Sequence, residues 1–138
     1  MSRRAVFQAL VNDTFLNSQG ITDSTVFANY SKDETPVRGF PFVILRWQER
    51  PMRGNLIGPQ ILTVWVHWPK EDSTDFAKVD LILRRIEEVL VGMEQVDGAD
   101  GYIVTCVRFT GEGGDLVDPG YNTITKNGAF EVLFRASA

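Results

Sequence analysis

The sequence predicts an α+β fold in which a mainly antiparallel sheet carries two helices on one face, in the order α-β-β-α-β-β. The first observation is an abrupt change of apolar period, from two residues to a heptad-like spacing, within residues 61–92. This change places a strand directly before an amphipathic helix. The second observation is three further stretches with the apolar pattern of strands, at residues 40–49, 102–110 and 121–135.

Length, charge and cysteine content limit the class of protein. The 138 residues, 43% of them apolar, fit one domain over residues 1–138 with a single core. The formal charge of -4 disfavours nucleic acid as the main partner, because phosphate binding needs a basic face. The N-terminal residues lack the continuous apolar run of a signal peptide or membrane span, so we expect a soluble, unprocessed protein without a membrane partner. The single cysteine, Cys106, favours a reducing compartment and a buried thiol.

The first elements are a helix and a long loop. Residues 2–16 are predicted to be helical, because apolar side chains recur at helical spacing from Phe7 to Phe15. Residues 21–39 follow as a polar loop interrupted by Pro36. Loops of that length are usually functional or ordered by a partner.

The next element is a predicted antiparallel hairpin formed by residues 40–49 and 60–68. Its connection, RPMRGNLIGP at residues 50–59, contains two prolines and two glycines, which favour a long irregular tip. The tip includes three large apolar side chains that a monomer has little reason to expose, namely Met52, Leu56 and Ile57.

An amphipathic helix follows the second strand of the hairpin. One of three residues is expected to cap its start: Asp72, Ser73 or Thr74. Its predicted buried stripe consists of Phe76, Val79, Leu83, Ile86, Leu90 and Met93, widened by Leu81, Ile82 and Val89. Asp80 and Arg84 stand at the spacing of a favourable acid-before-base pair, and Gly92 or Gly98 is expected to end the helix.

The C-terminal part is predicted to form two further strands around an acidic loop. Residues 102–110 form the third strand, and residues 111–120, GEGGDLVDPG, form the loop. The last strand covers residues 121–135, and the dipeptide Asn127-Gly128 marks a kink, turn or bulge within it.

Residues able to carry out catalysis or bind metals are sparse. His67, the only histidine, lies within a predicted strand and is expected to be partly exposed, without a nucleophile and base beside it. One cysteine and one histidine do not supply the ligand set that zinc prefers. An oxygen-only calcium site is an alternative that lacks the periodicity of an EF-hand loop. Its ligands would be Glu112, Asp115 and Asp118. We therefore expect no enzyme, no metal and no cofactor.

Aromatic side chains in the strands raise the alternative of base or ligand stacking. The segment GYIVTCVRF lacks the basic first position and aromatic-glycine-aromatic spacing of an RNA-recognition strand. The three tryptophans, Trp47, Trp65 and Trp68, each lie in an apolar strand run, so core or inter-strand packing is the simpler interpretation.

The run QILTVWVHWPKEDSTDFAKVDLILRRIEEVLVG, after the hairpin FPFVILRWQERPMRGNLIGP, resembles tail terminator proteins of long-tailed bacteriophages, particularly those of actinobacterial phages. The resemblance in element order covers nearly the whole chain. It implies a subunit of a hexameric ring that caps the completed tail tube, stops its polymerisation and joins the tail to the head connector. The implied partners are further copies of the chain, the major tail tube protein and the head-tail connector protein, with DNA passing through the lumen without specific binding. The implied location is the virion tail or neck, and the host cytoplasm during assembly.

Two long segments are predicted to carry the subunit or tube contacts, because they combine apolar residues with charge. They are the hairpin tip, with Arg50, Met52, Arg53, Leu56 and Ile57, and the acidic loop, with Asp115, Leu116, Val117 and Asp118. The alternative is loops that contact no partner. Alternative functions are a head-tail connector, adaptor or neck subunit, and a small-ligand-binding or regulatory α+β domain. A convergent polar pocket around His67 would favour an enzyme.

Overall fold

The structure is a computed structural model that describes residues 3–28, 39–48 and 59–137, and the backbone alone of residues 52–53 and 56–57. The described elements are α1 (Arg3–Val11), α2 (Thr14–Ser18), β1 (Val26–Ala28), β2 (Phe42–Trp47), β3 (Met52–Arg53), β4 (Leu56–Ile57), β5 (Gln60–Pro69), α3 (Phe76–Val91), β6 (Glu94–Asp97), β7 (Tyr102–Glu112), β8 (Leu116–Asp118) and β9 (Thr123–Ala136). The predicted α+β class with a mainly antiparallel sheet is confirmed. The predicted order of two helices and four strands is wrong, because it omits short elements on either side of the long ones.

The main sheet is organised around β9. Its strand order is β1-β2-β5-β9-β7-β6, and β8 pairs with the part of β9 that β7 leaves open. Along one edge, β9 pairs with β5 from Thr123 to Val132. Along the other edge, its start pairs with β8 and its remainder with β7. The predicted antiparallel pairing of β2 with β5 is confirmed, whereas β1 pairs with β2 in parallel.

The two faces of the sheet have different surroundings. One face contributes alternate apolar side chains such as Leu45, Val64 and Phe130 to a core shared with the three helices. Helix α3 contacts β5, β7 and β9, while α1 and α2 contact α3. The opposite side chains of the same strands, such as Ile44, Trp65 and His67, lie away from the three described helices and form what we call the helix-free face. The functional side chains described below lie on this face or along the edge beside it, except Lys126, which lies on the helix side and contacts Asp80 of α3.

The predicted first helix is two helices. Helix α1 ends at Val11, and Asp13 caps α2 by accepting a hydrogen bond from the Leu16 backbone N–H at 3.0 Å. The Asp13 carboxylate also receives the Arg85 guanidinium, with Nη2 at 2.7 Å from Oδ1 and Nε at 3.1 Å from Oδ2. The apolar stripe runs across both helices without interruption. The sequence pattern therefore hides a break that the Asp13 cap and its distant cation impose.

Helix α3 agrees with the prediction over most of its length and differs at three points. Asp75 is its N-cap, one residue after the expected candidates, and accepts from the Ala77 backbone N–H at 2.9 Å. Leu81, expected to widen the buried stripe, is 47% exposed. Asp80 receives Lys126 instead of forming the expected pair with Arg84, because β9 brings Lys126 to 2.9 Å. The predicted end at Gly92 is confirmed.

The sheet irregularities lie on β7 and not at Asn127-Gly128, where a kink, turn or bulge was expected. The pairing register of β7 with β9 shifts on either side of Thr105 and again at Thr110, while β9 stays in register with β5 throughout. Gly128 has a different role, because a Cβ there would lie 3.2 Å from Leu83 Cδ1 and 3.4 Å from the Phe109 ring. The glycine allows α3 to approach the sheet closely.

Candidate functional site

The candidate interaction surface is centred on β8, a three-residue strand at one edge of the sheet. Leu116, Val117 and Asp118 pair with Thr125, Ile124 and Thr123 of β9. Within the described part of the chain, β9 is the one strand that pairs with β8, so the outer edge of β8 presents backbone hydrogen-bonding groups. Leu116 is 48% exposed and Val117 is 55% exposed. We define the β8 surface as Glu112, Asp115, Leu116, Val117 and Tyr121.

A tight turn holds β8 against β9. The Asp118 carboxylate accepts hydrogen bonds from the backbone N–H groups of Gly120, at 2.9 Å, and Tyr121, at 3.1 Å. Asn122 adopts the left-handed conformation with φ of 57°, which asparagine tolerates better than most residues. Asp118 therefore stabilises the turn, while its interface role stays a prediction.

Lys126 connects the acidic loop to helix α3. Its ammonium group lies 2.9 Å from Asp80 on α3 and 3.6 Å from both Glu112 and Asp115. The hydrogen bond that Lys126 donates to Asp80 raises the pKa of Lys126, desolvation opposes the rise, and the charges of the three carboxylates add to it. One cation thus faces three carboxylates, so the surroundings of Lys126 keep an excess of negative charge.

The same loop is fixed to β9 by backbone contacts. The Gly113 N–H donates to the Asn127 backbone carbonyl at 2.9 Å and lies 3.0 Å from the Asn127 side-chain oxygen. Together with β8 and Lys126, these bonds give the segment from Glu112 to Asp118 a defined position. The alternative of a calcium site is not favoured by this geometry, since Glu112 and Asp115 are directed to an ammonium group.

A groove opens on the helix-free face beside the β8–β9 turn. Its volume is about 650 Å³. The residues that line it are aromatic and apolar apart from one cation and one carboxylate: Ile44, Arg46, Trp47, Trp65, His67, Asp118 and Tyr121. Strands β2 and β5 supply the residues on one side, and the β8–β9 hairpin supplies Asp118 and Tyr121. The groove is therefore continuous with the β8 surface through Tyr121.

His67 lies at the base of this groove. Contrary to the prediction of partial exposure, it is 3% exposed. Its Nδ1 is 2.8 Å from the Thr123 hydroxyl, and its ring stacks on Phe42 with centroids 4.5 Å apart. Burial lowers the pKa of His67 to about 4, against the opposing charge of Asp118. The imidazole is therefore neutral at neutral pH and ties β5 to the start of β9.

The structure brings one of the two predicted contact segments into a single surface. Leu116 and Val117 are exposed on β8, Asp115 is beside them, and Asp118 forms the adjoining turn. The hairpin tip forms a separate two-stranded ribbon in which Met52 pairs with Ile57 and Arg53 with Leu56. Arg50 and the side chains of the other four tip residues lie outside the described residues.

Sequence reasoning missed four residues of these surroundings: Arg46, Trp65, Tyr121 and Lys126. Lys126 is 46 positions from Asp80 in the chain, so no local spacing indicates their pairing. Trp65 was interpreted as a packing residue, yet it is partly exposed and lines the groove. The alternation within β5 does place Trp65 and His67 on one face, which was the available signal.

The described residues contain no group of three or more His, Cys, Asp or Glu side chains that could hold a metal ion. Among the helices described, none is long and apolar enough to cross a membrane. Comparison with known proteins finds no matching family model and no significant match to a curated protein.

Proposed function

We propose that the protein is a structural subunit of a phage tail, a tail terminator that caps the completed tube as a ring, stops its polymerisation and joins the head connector. The observation that carries the proposal is β8, an edge strand that presents Leu116 and Val117 beside carboxylates. Such a combination is typical of a protein interface and is unfavourable on a monomer, where it invites uncontrolled pairing. The proposed work of the protein is assembly, without a catalytic step.

A ring needs two different contact surfaces on each subunit, because rotation joins one surface to another. The β8 surface is one candidate, and the ribbon of β3 and β4 is the other. The ring would contact the major tail tube protein on one side and the head-tail connector on the other. The same surfaces would serve a connector, adaptor or neck subunit, which is the nearest alternative within the assembly.

The charge of the chain is compatible with a channel for DNA. The formal charge is -4. A negative lumen repels phosphate and lets DNA pass without specific binding. We propose the virion tail or neck as the final location and the host cytoplasm as the place of assembly.

The test of this function is assembly of tails in the presence of variant protein. Purified protein is mixed with tail tubes, and tube length and end caps are measured by negative-stain electron microscopy. The wild-type protein is expected to form rings at one tube end and to halt elongation. Leu116→Asp combined with Val117→Asp is expected to remove capping, because it places charges on the exposed apolar strand.

The matched control is Leu81→Asp, which adds a charge at an exposed apolar position on α3. It is expected to leave capping unchanged. Failure of the wild-type protein to bind tube ends or to change tube length would refute the terminator function. Rings that bind connector and not tube would favour the neck alternative.

A second candidate function is a small-ligand-binding domain, favoured by the groove of about 650 Å³ beside His67. Its aromatic lining with Arg46 and Asp118 suits a ligand with a flat apolar part and both charges. Trp65 lines the groove, so its fluorescence should report binding in a screen of amino-acid and heterocyclic ligands. Saturable quenching that Trp65→Phe abolishes would support this function, and no response across the screen would remove it.

A further inference from the structure

We infer that the β8 surface of one subunit binds the ribbon segment, residues 50–57, of a second copy of the same chain. This inference rests on the proposed ring and names the two surfaces that meet within it. It makes the contact heterologous, with the acidic strand edge on one subunit and the basic ribbon on the next.

The charges of the two segments are complementary. Residues 50–57 contain two arginines, Arg50 and Arg53, and no acidic residue. On the β8 surface, the Glu112 and Asp115 side chains are 50% and 55% exposed. Lys126, shared among Asp80, Glu112 and Asp115, neutralises only part of that negative charge. An incoming arginine would compensate the remainder while staying close to an apolar strand.

The apolar residues are complementary as well. Leu116 and Val117 lie on opposite faces of the edge strand and are both about half exposed. The ribbon segment supplies Met52, Leu56 and Ile57 within eight residues. A two-stranded ribbon alone is at most marginally stable in water, so burial against another surface would stabilise it. The outer edge of β8, which pairs with no other described strand, adds backbone groups that can pair with such a ribbon.

The fold keeps the apolar part of this contact from forming within one molecule. The ribbon connects to the sheet through Gln48 and Gln60, which are joined by a hydrogen bond from the Gln60 side-chain amide to the Gln48 carbonyl. Val117 lies at the opposite end of β5, since it pairs with Ile124 and Ile124 pairs with Trp68. Glu112 lies nearer, since it pairs with Gly128 and Gly128 pairs with Val64.

The eight-residue rise from Gln60 to Trp68 spans about 27 Å. The five residues from Gln48 to Arg53 reach at most about 17 Å. The backbone of the ribbon strands in one molecule therefore falls short of Val117 in the same molecule. Apolar surfaces that do not meet within one subunit favour head-to-tail association, which closes into a ring when the rotation between subunits permits.

The test is charge reversal with rescue. Asp115→Arg and Arg53→Glu are made separately and together in the full chain, and self-association is measured by sedimentation velocity. Asp115 is suitable because Lys126 keeps its shorter contact with Asp80 when Asp115 is replaced. Each single variant is expected to weaken association at least about tenfold, because it places like charges together, and the double variant to recover most of that loss.

Asp23→Arg is the control, because Asp23 is exposed on the turn before β1 and the change in net charge is the same. It is expected to associate like the wild type. A monomeric wild type, single variants that associate normally, or a double variant as weak as the single ones would each overturn the inference. Circular dichroism of every variant ensures that lost association is not lost folding.

The outcomes separate this contact from the proposed function. Rings that respond to both reversals and regain stability in the double variant, but do not cap tail tubes, would support the contact and refute the terminator. Tube capping that persists with unchanged association in Asp115→Arg would support the terminator and refute the contact.

Discussion

One buried and one partly buried basic side chain stabilise the edge of the sheet. They do so by different physical effects. His67 is neutral because burial removes it from water, and it contacts Thr123 and Phe42. Lys126 stays charged because carboxylates from α3 and from the loop before β8 surround it. The position of the β8 surface thus depends on one uncharged and one charged group. Different solution conditions can distinguish the contributions of the two groups.

His67 should make stability depend on pH. Its native pKa of about 4 is below the unfolded value, so the unfolded state binds more protons between about pH 6.5 and pH 4. The free energy of unfolding is therefore expected to fall by roughly 2 kcal/mol as the pH decreases through this range. His67→Phe removes this contribution, and urea denaturation at several pH values would measure it. Thr123→Val, which keeps the imidazole, should retain the slope; an equal slope in His67→Phe would contradict the assignment.

Lys126 should control the order of the loop before β8. Lys126→Gln leaves Asp80, Glu112 and Asp115 without their shared cation and is expected to lower stability by about 1 kcal/mol, since the partners are half exposed. Hydrogen exchange should increase in β8 and leave α3 protected. Asp80→Asn is the control that removes one of the three partners, and it should have a smaller effect. Unchanged exchange in β8 would contradict this role of Lys126.

At the scale of elements, the helices and the sheet meet through two local features. Asp13 separates α1 from α2 and links both to Arg85 on α3. Gly128 lets α3 approach β9, with Leu83 closest to the missing Cβ. Each feature is a single residue that sets how two elements pack.

Asp13→Ala is expected to lower the free energy of unfolding by about 2 kcal/mol, because it removes a helix cap and a charged hydrogen bond together. Asp13→Asn keeps the cap and should lose about half as much. The Arg85 guanidinium lowers the pKa of Asp13, so this stabilisation is present above the ordinary pKa and is lost as the pH falls through the lowered one. Thermal denaturation would compare the variants, and equal losses would show that the ion pair contributes little.

Gly128→Val is expected to lower stability by about 2–3 kcal/mol, because the side chain would overlap Leu83 and Phe109. Val is otherwise favoured in a strand, so any loss reports crowding and not propensity. Leu83→Ala removes the nearest side chain. Adding Gly128→Val to Leu83→Ala should therefore lower stability less than adding it to the wild type. A neutral or stabilising Gly128→Val would show that α3 can move away at little cost.

At the scale of the whole molecule, what could be predicted from sequence was what local patterns encode. The α3 stripe and the long strands β5 and β9 have sustained periods, so their existence was predicted correctly. The three-residue strands β1 and β8 depend on pairing with β2 and β9, which local sequence does not reveal. The same limit applies to the site. Composition could select Leu116 and Val117, whereas Lys126 contacts its partners only because the sheet brings them together.

The outer edge of β8, which pairs with no other strand among the described residues, also sets a condition for the protein before assembly. Such an edge with exposed Leu116 and Val117 is a template for aggregation, and the neighbouring carboxylates oppose it by repulsion between copies. Added salt screens the charges of those carboxylates, which weakens the repulsion and leaves the strand edge in place. The colloidal lifetime of unassembled subunits should therefore shorten at high ionic strength, even under conditions where each subunit remains folded.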